Sequence, residues 1–351
     1  MPFTAQEMSS MAAAALDFYV KGKPMAQTLQ DRPFLKSMMG VKKSFGGGAG
    51  LIRRNVKGEY TSGFTGFEGD DQVFFRNPAN IRQINYPWKE IHGGMQVTLT
   101  ELKRDGISVV DSLTGKSTTT HTDAEVTRIS SIFDDKMDDM TEGLSRSMNN
   151  IMLLDGTQDS KVPPGLLAFV TDAPTTGVIA GIDRASTTWW RNRARTAASV
   201  GGAIASSAAN QTLTTTLRAE VRQLKRYGGR PNLLICGSGF LEKLEAEVFA
   251  KGTYSQTGFT NKGSTEIGMA DIEMRGVGSF IYEPSLDDMG RTNYCYILDT
   301  KHLYPMVMDG EDMKKHFPAR PHDQFVVYQG VTWTGALIAD QMNCHGVYSI
   351  T

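Results

Sequence analysis

The chain has 351 residues, and its 37 Lys and Arg stand against 38 Asp and Glu. That balance excludes a dedicated nucleic-acid binder, which would carry a global basic excess, and the length suffices for one large or two medium domains. The cysteines, Cys236, Cys295 and Cys344, are odd in number and far apart, which excludes a disulfide framework and points to reduced thiols. No apolar run approaches the roughly 18 to 20 residues of a bilayer span. The alanine run at 12–15 is too short for a signal-peptide core and is followed by Asp17. The expectation is a soluble, internal protein.

Residues 5–20 fit a helix through Met8, Met11, Ala15 and Phe18, after which Gly22, Pro24 and Pro33 interrupt the pattern. Lys36, Lys42 and Lys43 lead into the glycine-rich joint at 46–50, so residues 1–45 read as an arm or as a frayed terminus. Strands are expected at 52–55, 72–76, 81–86 and 95–102. Between the first two, Gly63, Gly66 and Gly69 surround Phe64 and Phe67, too few apolar residues for a core. The stretch 46–110 is therefore a long hairpin that must find partners elsewhere, or a β-meander of the domain.

A polar connector at 111–122, with hydroxyls at Ser117, Thr118, Thr119 and Thr120, leads to a long amphipathic helix over 123–154. Its apolar positions are Val126, Ile129, Phe133, Met137, Met140, Leu144, Met148 and Ile151, each three or four residues from the next. Thr122 and Glu125 fit a capping box, and Gly156 suits the end. At 1.5 Å per residue the helix would be roughly 48 Å long. The Ala-, Ser- and Gly-rich stretch 186–211 reads as a second, loosely packed connector. A helix over 213–227 follows, stopped by Gly228 and Gly229, then a buried strand at 233–236 and a helix at 239–249. With strands at 272–274, 279–282 and 295–298 this makes a compact α+β domain. Strands at 303–308, 324–328, 332–339 and 347–350 complete the chain.

Motifs of chemistry do not hold up. Asp134, Asp135 and Asp138 match a magnesium-diphosphate pattern, but the chain is not wholly helical and lacks a second metal motif. With Asp139 and Glu142 they read as a solvated helix face. Gly115, Lys116 and Ser117 end like a P-loop, yet Val110 stands where a glycine is needed. Ser238 between Gly237 and Gly239 lacks the outer glycines of a nucleophile elbow, since Cys236 and Phe240 flank it. The histidines, His92, His121, His302, His316, His322 and His345, show no metal-ligand spacing and read as surface or turn residues. Trp189 and Trp190, beside Arg191, Arg193 and Arg195, could stack on single-stranded bases, although core or interface packing is the commoner use. No catalytic, cofactor-binding or metal-ligating residue is assigned, and no cofactor is expected.

The order of these features is more specific than any one of them. The long helix is followed by Asp155-Gly156-Thr157, then Pro164-Gly165-Leu166-Leu167-Ala168, then Gly181-Ile182-Asp183-Arg184, and then Trp189-Trp190-Arg191-Asn192. This resembles the major capsid proteins of tailed bacteriophages, with the Hong Kong ninety-seven type of shell fold. The resemblance covers nearly the whole chain. It implies an α+β subunit with an N-terminal arm (1–45), an extended hairpin loop lapping a neighbour (46–110), a peripheral domain with a spine helix (111–195), an axial domain (196–300) and a return into the peripheral domain beside the long helix (301–351). It further implies a non-enzymatic, self-assembling icosahedral shell around double-stranded DNA, built of hexamers and pentamers in the host bacterial cytoplasm. Implied partners are a separate scaffolding protein, a portal and a decoration protein, with weak non-specific contact to packaged DNA and no membrane. If the acidic helix face looks toward DNA, its charge keeps DNA from sticking, and the arginine row 191, 193 and 195 would pair with that face across subunits. Some family members join a loop lysine to a neighbour's asparagine; Lys57 and Asn343 are the residues that could supply the pair here, though no acidic side chain follows Asn343. An encapsulin-type nanocompartment shell is the alternative.

Overall fold

The structure is a computed structural model that describes residues 3–4, 32–47, 50–60, 63–75, 80–104, 109–110, 123–207, 209–250, 272–274, 276–316 and 326–351. In chain order the main elements are α1 (Pro33–Gly40), β1 (Lys43–Phe45), β2 (Leu51–Lys57), β3 (Ile81–Pro87), β4 (Lys89–Thr98), α2 (Leu99–Arg104) and α3 (Asp123–Leu153). Then come β5 (Arg193–Arg195), α4 (Thr212–Lys225), β6 (Leu233–Cys236), α5 (Ser238–Ala250), β7 (Glu273–Met274), β8 (Gly278–Tyr282) and β9 (Tyr294–Leu298). The chain closes with β10 (Leu303–Met308), β11 (Lys314–His316), β12 (Val326–Ala339) and β13 (Gly346–Ser349). The expected helix at 5–20, the connector at 111–122 and the P-loop-like 115–117 lie outside the described residues, as do His121 and His322.

The chain forms two compact units. The first comprises Met1–Gly47, Lys89–Pro163 and Met306–Gly335, and the second Gly48–Trp88, Pro164–Pro305 and Ala336–Thr351. In the first unit the long helix α3 is continuous, as its spacing and lack of proline predict. It packs on β4, which runs antiparallel to β12 from Thr98 opposite Val326 to Lys89 opposite Gly335. Met140 is buried against Val331, with Met95, Leu144 and Met313 around them. Gly93 lets the strand approach, because a Cβ there would lie 2.0 Å from Leu144 Cδ2. The apolar stripe is not the whole buried face: Thr141, Ser145 and Asn149 are buried as well. The helix also meets α1, whose Phe34, Leu35 and Met38 are buried, and two partners bury a wider arc than one stripe covers. Side chains at Val126, Ile129, Phe133 and Met137, and the acids Asp134, Asp135 and Asp138, lie outside the described side chains. Asp139 is exposed, and Glu142 pairs with Arg32 at 2.8 Å and Arg146 at 3.2 Å.

The strand expected at 95–102 ends at Thr98, where α2 begins. Thr98 N–H donates to Glu101 Oε2 at 3.1 Å and Glu101 N–H donates to Thr98 Oγ1 at 3.3 Å. This reciprocal capping box satisfies two amides that a helix start leaves unpaired, and it outweighs the β pattern that precedes it.

The second unit holds a six-stranded sheet in the order β7-β8-β6-β9-β13-β5. Its core is shared by Leu217, Leu224, Phe240 and Ile297 among others. Helix α4 has no cap of its own; the buried Glu247 of α5 accepts from Leu213 N–H and Thr214 N–H, both at 2.9 Å. Two expectations change here. The stretch 186–211 is not a loose connector: it supplies β5, parallel to β13, and Ile204 bridges to Ile350. The last strand β13 pairs with β9, from Tyr294 opposite Ser349 to Ile297 opposite Gly346, rather than packing beside the long helix. All four residues of β13 are buried, and the six-stranded sheet gives such a strand ladder partners on both edges.

Candidate assembly interface

The hairpin β2–β3 belongs to the second unit and is paired over its full length, from Leu51 opposite Pro87 to Lys57 opposite Ile81. Its alternation has a purpose that the sequence expectation missed. Ile52, Val56, Ile84 and Tyr86 are all buried within the same chain, so the stem has an interior and only the tip lacks one. Tyr86 O–H donates to Ala339 O at 2.8 Å, and its ring meets Phe169 edge-on at 5.7 Å. Burial pushes the Tyr86 phenol well above its ordinary value, so it stays a donor. On β2, Arg54 pairs with Asp340 at 3.1 Å and its guanidinium lies 5.6 Å from the Tyr304 ring centroid, while Tyr304 O–H donates to Asp340 at 2.5 Å.

The motif residues that carry the family resemblance build the platform beside this stem. Val178–Ile179 and Ile182–Asp183 form a short hairpin whose turn residues Ala180 and Gly181 have φ of 54° and 84°. Ala180 O accepts from Asn85 N–H of β3 at 3.1 Å, which ties platform to stem. Arg184 is buried, donating to Thr171 Oγ1 at 2.9 Å and to Phe169 O, and burial pulls its guanidinium down to about 10. Trp190 is buried and its Nε1–H donates to Ile179 O at 3.2 Å. Asn192 exchanges hydrogen bonds with the Thr171 backbone at 3.0 and 3.3 Å. These are structural roles, in keeping with the packing expected of paired tryptophans.

The arginine row is consumed differently from expectation. Arg193 and Arg195 both reach Glu220 of α4, at 2.9 and 3.5 Å, and Arg191 donates to the carbonyls of Arg184 and Ala185. The pairing is therefore within the subunit, because β5 brings the row over a carboxylate that is only 6% exposed. A burial of this kind leaves Glu220 dependent on both cations.

Beyond the stem the chain changes character. Tyr60, Phe64, Phe67, Val73, Phe74 and Phe75 are exposed, and Phe64 and Phe75 are almost entirely so. Gln72 through Phe75, expected as a strand, form no ladder within the chain, since no strand among the described residues lies alongside them. Arg76 lies outside the described residues. An exposed aromatic cluster of this size on an anchored stem marks an interaction surface.

No chemical site emerges beside it. Lys57 and Asn343 line one cavity of the second unit, but Lys57 is exposed and lacks the apolar enclosure that an amide-forming lysine needs. Asn343 Oδ1 accepts from Gln341 Nε2 at 2.7 Å. Ser238 opens α5 with its N–H on Asp287 Oδ1 at 3.0 Å and has no base. His345 is not a surface residue: it is fully buried, its Nδ1 accepts from Asp299 N–H at 3.2 Å, and burial pulls its pKa down to about 3. Cys344 lies 3.5 Å from His345 Nε2, but burial pushes the thiol up, so no thiolate–imidazolium pair forms. Among the described residues no cluster of His, Cys, Asp or Glu could hold a metal, no helix is long and apolar enough to cross a membrane, and all three cysteines are free and buried.

No protein-family model and no curated protein matches the chain. Solved structures do. The cyanophage A-1(L) capsid asymmetric unit is 15% identical over 91% of this chain and 92% of its own, with a TM-score of 0.62. The capsid of the native GTA particle is 13% identical over 90% of each chain with a TM-score of 0.52, and the capsid of Myoviridae phage XM1 12% identical over 90% and 92% with 0.51. Over nine-tenths of its length the chain has the α+β fold of these phage capsid proteins.

Proposed function

We propose that the chain is a structural, non-enzymatic capsid subunit that self-assembles into the icosahedral shell around the double-stranded DNA of a tailed phage. The observation that carries this reading is the hairpin: a stem fixed by Tyr86, Arg54 and the 178–192 platform, and a tip whose aromatics find no cover in their own chain. Such a surface is completed by other copies, and interfaces of modest individual strength suffice when closed symmetry repeats them. The fold shared with solved phage capsids supports the same role. The finer features follow from the resemblance: an arm over 1–45, a lapping loop within 46–110, a spine-helix domain and an axial domain, assembly as hexamers and pentamers in the bacterial cytoplasm, and a scaffold, portal and decoration protein as partners.

Expression of the full chain with electron microscopy of the product tests the reading: closed shells are expected. Deleting the tip, residues 63–75, removes exposed residues only. The expected result is a folded, soluble subunit that no longer forms shells. Normal shells from the deletion variant would remove the lapping role.

A further inference from the structure

Resting on the shell reading, we propose that a groove in the second unit, rimmed by Lys57, Arg193 and Arg195 and floored by Trp189, receives the hairpin tip of a second copy of this chain. The groove encloses about 1230 Å³, above the ~300–1,000 Å³ of small-molecule pockets and suited to a chain segment. Trp189 reaches its place because Gly58 has no side chain: a Cβ there would lie 2.7 Å from the indole Cε2. Arg193 and Arg195 remain 43% and 39% exposed while Glu220 beneath them fixes their orientation. The rim thus presents oriented guanidinium groups, which accept both carboxylates and aromatic faces.

The tip has the matching chemistry. Residues 58–75 contain Glu59, Glu68, Asp70 and Asp71 and no lysine or arginine, interleaved with Tyr60, Phe64, Phe67, Phe74 and Phe75. A turn with Gly69 at φ 54° and Asp71 N–H on Glu68 O at 3.1 Å sets the acids at one apex. Glu68 and Asp70 form no ion pair among the described residues. The tip does not fill the groove of its own chain, since Phe64, Phe67, Phe74 and Phe75 are all exposed. Nucleic acid is a poorer occupant: Glu59, Glu220 and Asp340 line the same groove and oppose a phosphate track.

The test uses shells assembled from an equal mixture of isotopically light and heavy full-length chains. Zero-length carbodiimide coupling joins an amine to a carboxylate only where they adjoin, and mass spectrometry reads the products. The expected result is a light–heavy cross-link between Lys57 and Glu68, Asp70 or Asp71. Charge reversal gives the second arm: Asp70→Lys with Asp71→Lys, both exposed and checked for native circular dichroism, should lower shell yield, and Lys57→Glu in the same chain should restore it. Shells that form but give only same-chain products, or inter-chain tip cross-links elsewhere, overturn the groove assignment and leave the shell reading intact. Failure of Lys57→Glu to restore assembly, or nucleic acid photocoupled to Trp189, also overturns it. Absence of shells from the unmodified chain overturns the shell reading itself.

Discussion

Single residues set tolerances that composition does not show. Gly237 follows β6 and is buried, and a Cβ there would meet Thr292 O at 2.4 Å and Arg291 O at 2.6 Å. Backbone cannot yield as a side chain can, so Gly237→Ala should cost about 1–3 kcal/mol, read as a lower urea midpoint with unchanged slope. His345 gives a pH signature. Its folded value of about 3 lies below the ordinary 6.5 because burial penalises the cation. Between those values the unfolded chain binds a proton that the folded chain refuses. Stability from this group is therefore complete above pH 6.5 and declines as the pH falls toward 3, by at most ~1.4 kcal/mol per unit. His345→Gln, which keeps an acceptor for Asp299 N–H, should flatten that part of an acid-unfolding profile; an unchanged profile would assign the sensitivity to other groups.

At the scale of elements, local signals and tertiary partners compete. The switch from β4 to α2 rests on Thr98 and Glu101, a signature legible in the sequence but overridden in the strand expectation by the apolar residues around it. Thr98→Ala should cost about 0.5–2 kcal/mol and raise amide exchange first at Glu101, whose N–H loses its acceptor. Loss of protection spread evenly over the first unit would argue against a local cap. Helix α4 shows the reverse case: no local cap exists, and Glu247, distant in sequence, supplies one. That role could not be read from spacing. The hairpin stem divides the same way, since alternation in 51–57 and 81–87 announces a buried face but not that Phe169 and Ala339 cover it.

For the molecule as a whole, the near balance of 37 basic and 38 acidic residues predicts weak, sequence-independent contact with DNA. Arg193 and Arg195 are held by Glu220, and Arg54 by Asp340, which leaves few cations for phosphate. Mobility shifts of unassembled subunits near 150 mM salt should give dissociation constants no tighter than roughly micromolar; nanomolar, sequence-dependent binding would replace the shell reading with nucleic-acid recognition. The sequence alone determined the long helix, the strands at 233–236 and 303–308, the helices around the former and the aromatic, glycine-spaced tip, because periodicity and turn residues act over a few neighbours. It also carried the motif order from Asp155 to Asn192 that pointed to the capsid fold. Tertiary structure decided where β13 pairs, that the 186–211 stretch forms a sheet edge, that His345 is buried and that the arginine row closes on Glu220. Each of these depends on residues tens to hundreds of positions apart meeting in space, and no local pattern encodes which partner a strand edge or a charge will find.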